Sequence, residues 1–168
     1  MRPQQENQRR QATAMAVGVI LTAGITGGER PEMALINESH SLPRGLYLRT
    51  GAPVARGAVV AIEQPAAARA YLRRLGMPGD VLLLKRVAAV EGDQVCAGDG
   101  VVRTPGRQVR TLDRDRQGVA LPVWRACGRL APGEVFLLGD TVGSFDSRYF
   151  GPVRKSAAQG VYREVLTW

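Results

Sequence analysis

Ser39 and Ser41 flank His40 in the segment Asn37-Glu-Ser-His-Ser41-Leu-Pro-Arg-Gly45-Leu-Tyr47. A serine hydroxyl becomes nucleophilic only beside a base. His40 is the obvious base, yet the spacing argues against it. Neighbours in an extended segment point to opposite sides, so His40 does not easily reach the Oγ of either serine. It is also the chain's single histidine, which leaves a Ser-His-Asp triad without a good base. His40 therefore reads as a solvent-facing loop residue.

Lysine is the other source of a base. Of 23 basic residues only Lys85 and Lys155 are lysine; the rest are arginine. Arginine keeps its proton near neutral pH, whereas a desolvated lysine can release it. Lys85 interrupts the apolar run Val81-Leu-Leu-Leu-Lys85-Arg86-Val-Ala-Ala-Val90, just ahead of Glu91-Gly92-Asp93. Burial disfavours the ammonium form, and enzymes use it to bring a lysine to about 7–8. A neutral amine within hydrogen-bond reach of a hydroxyl is then a competent base. On this segment alone an edge-strand lysine snorkelling to water is an equal reading.

A third polar segment, Gly139-Asp140-Thr-Val-Gly-Ser144-Phe-Asp146-Ser147-Arg148, follows the run Val135-Phe-Leu-Leu138. By itself it reads as a hydrogen-bonded turn closed by an Asp–Arg pair.

The elements that must position these residues are mostly strands. A length of 168 residues allows one ordinary domain and a short appendage. Twenty glycines and ten prolines imply many turns. GLYLR, AVVAIE, VLLLKRVAAV, GVVRT, GEVFLLGD and GVYREVLTW are apolar or alternating runs separated by MPGD, EGD, AGDG, TPG and APGE. One helix is expected over Pro65–Leu75, opening on a proline in its first turn. Residues 31–168 thus read as one mostly antiparallel β domain.

Residues 1–30 read differently. Arg2, Arg9 and Arg10 precede an uncharged stretch from Gln11 to Gly28, which ends at Glu29 and Arg30. This length is at the lower limit for a spanning helix, which takes roughly 17–25 residues. The flanking charges place the N-terminus in the cytoplasm and residues 31–168 outside, on the periplasmic side of the inner membrane. A cleavable signal-like helix is the competing reading. An oxidising compartment favours a disulfide between Cys96 and Cys127, the only cysteines. Two cysteines and one histidine cannot furnish an all-protein structural zinc site.

The net charge of +8 invites a nucleic-acid partner, but the arginines are scattered and aromatics few. A charged outer surface suited to an anionic membrane fits better.

Taken in order, the three polar segments resemble the signal peptidase I family. There a serine precedes Met-x-Pro, a lysine-arginine pair precedes Gly-Asp, and a Gly-Asp…Ser-x-Asp-Ser-Arg box follows. The conjugative-transfer (TraF-type) branch is closer still, with Ser-Leu-Pro-x-Gly-Leu-Tyr, here Ser41 to Tyr47 without a gap. The resemblance implies a signal-peptidase-type β domain in which Ser41 is the nucleophile and Lys85 its base. It implies an oxyanion site from the Ser41 N–H and the Ser39 hydroxyl, and a lysine-orienting role for Ser144. Asp140, Asp146 and Arg148 become supports. From Gly139 to Ser144 the chain is one residue shorter than the usual Gly-Asp-Asn-x-x-Asn-Ser. The implied activity is a membrane-anchored serine endopeptidase needing no cofactor and acting on exported preproteins. In the conjugative branch the client is a pilin, and its own amino group can resolve the acyl-enzyme to a cyclic product. A general signal peptidase with many clients remains an alternative. So does an idle membrane-tethered β scaffold of a secretion or conjugation complex. A cytoplasmic self-cleaving repressor also uses Ser and Lys on a β fold, but DNA-binding helices are lacking.

Overall fold

Alternating apolar residues between glycine- and proline-rich turns build two antiparallel sheets, seen in a computed structural model that describes residues 32–168. The basic tip and the uncharged stretch Gln11–Gly28 lie outside the described residues. Among the described residues no helix is long and apolar enough to cross a membrane. Pro31–Trp168 forms one compact unit.

The strands are β1 (Ala34–Asn37), β2 (Gly45–Thr50), β3 (Val59–Ile62), β4 (Leu83–Val90), β5 (Gln94–Gly98) and β6 (Val101–Thr104). They continue as β7 (Arg107–Arg110), β8 (Cys127–Arg129), β9 (Glu134–Leu138), β10 (Val153–Arg154) and β11 (Ala158–Thr167). Seven form the larger sheet in the order β1-β2-β11-β3-β4-β9-β10, and four form the smaller, β7-β6-β5-β8. Helix α1 (Ala66–Arg74) begins one residue after Pro65 and buries Ala68, Tyr71 and Leu72, an i, i+3, i+4 face. Helix α2 (Ser147–Phe150) is a single turn.

All six strand runs expected from sequence are strands. The smaller sheet was foreshadowed only by GVVRT, because β5, β7 and β8 are short and largely polar. Its apolar content is one residue in two: Val95, Val102 and Val109 are buried, with exposed or half-buried residues between them. Cys96 and Cys127 stand directly opposite each other on β5 and β8 and are joined as a disulfide.

Strand β4 decides where the site lies. It runs inside the larger sheet between β3 and β9, so neither edge faces water. Its alternation puts Lys85 on the same face as Leu83 and Val87, opposite Val60 of β3. That face packs on Ile62, Leu72, Leu137 and Phe150, the main core. A bulge between Val87 and Ala89 switches the alternation. Ala89 therefore joins Val95, Val102, Phe136 and Leu138 in the core beneath the smaller sheet.

Candidate active site

The loop between β1 and β2 carries Ser39 and Ser41, and the residues after Ser41 explain its shape. Leu42 is buried against Tyr47, Val59, Leu84 and Tyr162 and pins the loop to the sheet. The Tyr47 hydroxyl donates to the carbonyl of Pro43 at 2.8 Å, closing the turn. Gly45 passes so close to β11 that a Cβ there would sit 2.0 Å from the Leu166 carbonyl oxygen. No other residue fits without moving backbone. The run from Ser41 to Tyr47 is thus a structural unit that presents Ser41.

Ser41 is buried, and its Oγ accepts from Lys85 Nζ at 3.0 Å. Lys85 also donates to the carbonyl of Leu84 at 3.0 Å. The amine is 4% exposed and its pKa is lowered to about 8, first by burial. The carboxylate of Asp146 works against that shift and the guanidinium of Arg148 works with it. These opposed charges form one ion pair, so desolvation decides the sign. An amine that is neutral in appreciable fraction near neutral pH, 3.0 Å from a hydroxyl, can take its proton.

The Oγ atoms of Ser39 and Ser41 lie 2.7 Å apart, and Ser39 also donates to Asn37 Oδ1 at 2.8 Å. His40 is exposed. Among the described residues no group of three His, Cys, Asp or Glu is placed to hold a metal ion.

The third segment wraps the far side. Asp146 and Arg148 are fully buried and bonded at 2.8 Å through both Nε–Oδ1 and Nη2–Oδ2. Arg148 spends its other N–H groups on the carbonyls of Arg110, Thr141, Val142 and Ser144. Asp146 accepts from the Gly139 N–H at 2.9 Å. This pair ties the loop together from within. Asp140 faces the surface and bonds Arg86 at 2.9 and 3.1 Å, and these bonds hold its carboxyl below the usual range.

Ser144 differs from expectation. It is buried beside the site, yet its Oγ has no hydrogen-bond partner among the described residues, and Lys85 uses the Leu84 carbonyl instead. The tight turn closed by Ser144 N–H to the Thr141 carbonyl presses this hydroxyl onto Gly139. A Cβ at Gly139 would meet it at 2.1 Å. Cys96 and Cys127 stand in the smaller sheet and make no contact with this chemistry; they brace the sheet whose β7 carries Arg107.

Three residues make contacts at the site for which the sequence assigned them no role. Asn37 lies under the serine loop, and its one local signal is an Asx residue two positions before Ser39. Arg86 pairs with Asp140. Arg107 reaches from the smaller sheet to the Gly139 carbonyl at 3.2 Å, a contact with no sequence signal.

Comparison with known proteins identifies the family. The family described as signal peptidase, peptidase S26, matches residues 9–168. A plasmid transfer protein TraF of Escherichia coli is 38% identical over 148 residues, covering 80% of this chain and 84% of that one. A second TraF of Escherichia coli is 31% identical, covering 95% and 97%. Among solved structures, a signal peptidase I from Enterococcus faecalis V583 aligns with a TM-score of 0.38 and 22% identity, over 64% of this chain and 94% of that chain. The chain belongs to the signal peptidase, peptidase S26 family, and it is a TraF-type member.

Proposed function

We propose that the protein is a membrane-anchored serine endopeptidase that cleaves exported preproteins with a Ser41/Lys85 dyad, its client being a conjugative pilin. The observation that carries this reading is the buried Lys85 amine 3.0 Å from the Ser41 hydroxyl. The names of the relatives, plasmid transfer proteins, support the conjugative role.

In the proposed reaction neutral Lys85 takes the Ser41 proton as Oγ attacks the scissile carbonyl. The main-chain N–H of Ser41 and the hydroxyl of Ser39 hold the oxyanion. The Lys85 ammonium returns the proton to the leaving amine, leaving an acyl-enzyme on Ser41. Water resolves it to a carboxylate, or the client's own amino group resolves it to a cyclic product. The segment Gln11–Gly28 anchors the domain as a single span, with the domain on the periplasmic side of the inner membrane.

The experiment compares wild type with Ser41→Ala in cells producing the prepilin, alongside a serine-directed acylating probe. The expected result is prepilin cleavage and labelling at Ser41 in wild type only. Processing by a folded Ser41→Ala variant would sink the assignment, and cleavage of many unrelated preproteins would favour a general signal peptidase. Resistance to carbonate extraction and periplasmic activity of a reporter fused after Trp168 test the anchor; recovery in the soluble cytoplasm would remove it.

A further inference from the structure

Asn37 is the last residue of β1, and it is buried although nothing in the proposed chemistry uses it. Its register partner on β2 is Gly45. The carboxamide there is fully engaged. The two N–H groups of Nδ2 serve three carbonyls, those of Ser39, Leu42 and Pro43 at 3.0, 3.1 and 2.9 Å, with one N–H shared. Oδ1 accepts from the Ser39 N–H at 3.2 Å and from the Ser39 hydroxyl at 2.8 Å. Three acceptors surround one end and two donors the other, so only one orientation of the amide satisfies the site.

No other side chain meets these demands. Aspartate would face three carbonyl oxygens with a second acceptor. Glutamine is longer by a methylene, and leucine leaves five polar groups without their partner.

The consequence is directional. Oδ1 of an amide accepts and cannot donate. In the resting site the Ser39 hydroxyl points its proton at Oδ1, so the 2.7 Å contact between the serines is made by the Ser41 proton, and Lys85 donates to Ser41. When the oxyanion forms, the Ser39 hydroxyl turns this proton to it while Oδ1 keeps the Ser39 N–H. The resting order therefore runs Lys85 to Ser41 to Ser39 to Asn37 and ends on an atom that cannot pass a proton on. Loss of a proton from Lys85 frees Ser41 to turn its own toward the amine.

We infer that Asn37 is the positioning residue of this site, acting through Ser39: its carboxamide sets the place of the Ser39 hydroxyl. The inference rests on the Ser41/Lys85 reading and concerns kcat more than substrate binding.

The test is a double-mutant cycle on prepilin processing, using Asn37→Ala, Ser39→Ala and the double variant in the full-length membrane protein, with Ser41→Ala as reference. Removing one oxyanion donor costs about 10²-fold or more in kcat. Ser39→Ala is expected at that level, and Asn37→Ala at about 10-fold or more with KM little changed. The double variant should fall clearly short of the product of the two single losses, because Ser39→Ala has already removed the hydroxyl that Oδ1 positions and leaves only the main-chain bonds of Asn37. Independent, multiplying losses would show a role in general stability and overturn the inference, as would wild-type kcat in Asn37→Ala. If Asn37→Ala does not fold, Asn37→Ser takes its place in the cycle, with the same outcomes supporting or overturning the inference. Activity in Ser41→Ala is the separate outcome that overturns the underlying dyad.

Discussion

The main-chain N–H of Asp140 donates to the carbonyl oxygen of Ser41 at 2.6 Å. Through this bond the third polar segment holds the loop of the first. The Asp140 carboxylate is meanwhile gripped by Arg86, the neighbour of Lys85 in the second. Arg107, from the smaller sheet, closes on the Gly139 and Asp140 carbonyls at 3.2 and 3.4 Å. All three segments are therefore mechanically one site, and the smaller sheet braces it.

The first prediction concerns the proton on Lys85. With its pKa lowered to about 8, activity should climb with pH as the amine becomes neutral. Lys85→Arg should be as inactive as Lys85→Ala, each losing about 10²- to 10⁴-fold, since guanidinium cannot accept the proton. Lys155→Arg, at an exposed residue, should match wild type. Substantial turnover by Lys85→Arg at neutral pH would refute the base.

The same burial has a stability signature. The folded pKa lies below the ordinary lysine value of 10.5, so between about 8 and 10.5 the unfolded chain binds more protons. Stability from this group therefore rises with pH across that window. Lys85→Met should be more stable than wild type at pH 7, by about 3 kcal/mol if packing is kept. The advantage should shrink as pH approaches 10.5. A difference in Tm that does not change with pH would contradict the linkage.

For the buried pair, breaking one side leaves an uncompensated charge, which costs about 3–5 kcal/mol. Arg148→Met and Asp146→Asn should each lower the denaturant midpoint sharply, and Arg148→Met more, since four carbonyls lose their donor. A loss under about 1 kcal/mol in both would mean that the pair does not scaffold the loop.

Gly139→Ala places a methyl against Ser144 Oγ at 2.1 Å and the Ser41 carbonyl oxygen at 2.8 Å. The backbone must shift at the nucleophile, so processing should fall by about 10²-fold, the scale set by a misplacement of one ångström. Gly143→Ala, with no close neighbour but the Arg116 side chain at 3.8 Å, is the control. Equal activity in both would show that the Gly139 contact is immaterial.

The disulfide closes a loop with a sequence separation of 31, which stabilises by up to about 4 kcal/mol in the chain-entropy view. Protein from its native compartment should take up alkylating reagent at Cys96 and Cys127 only after reduction, and reduction should lower Tm. Two freely alkylated thiols would remove the bridge and weaken the case for a periplasmic domain.

Much of this site was legible along the chain. Period-two apolar runs specified the strands of the larger sheet, because a half-buried pleated surface writes its alternation locally. A lysine in one such run, two serines in a loop and an Asp–Arg turn offered candidate chemistry, and the resemblance of their order to the signal peptidase I family selected the Ser41/Lys85 reading. The pairing of strands was not legible, since register depends on contacts between distant segments. Sequence left Lys85 open between a buried base and an edge lysine. Only its place between β3 and β9 made it buried and brought its amine to Ser41. The smaller sheet and the reach of Arg107 to the Gly139 carbonyl are likewise tertiary facts, joining segments distant in sequence. Asn37 shows the division most clearly. Its residue type offers two N–H donors and an oxygen with two lone pairs, but only a loop folded over it brings three carbonyls and two Ser39 donors to one carboxamide.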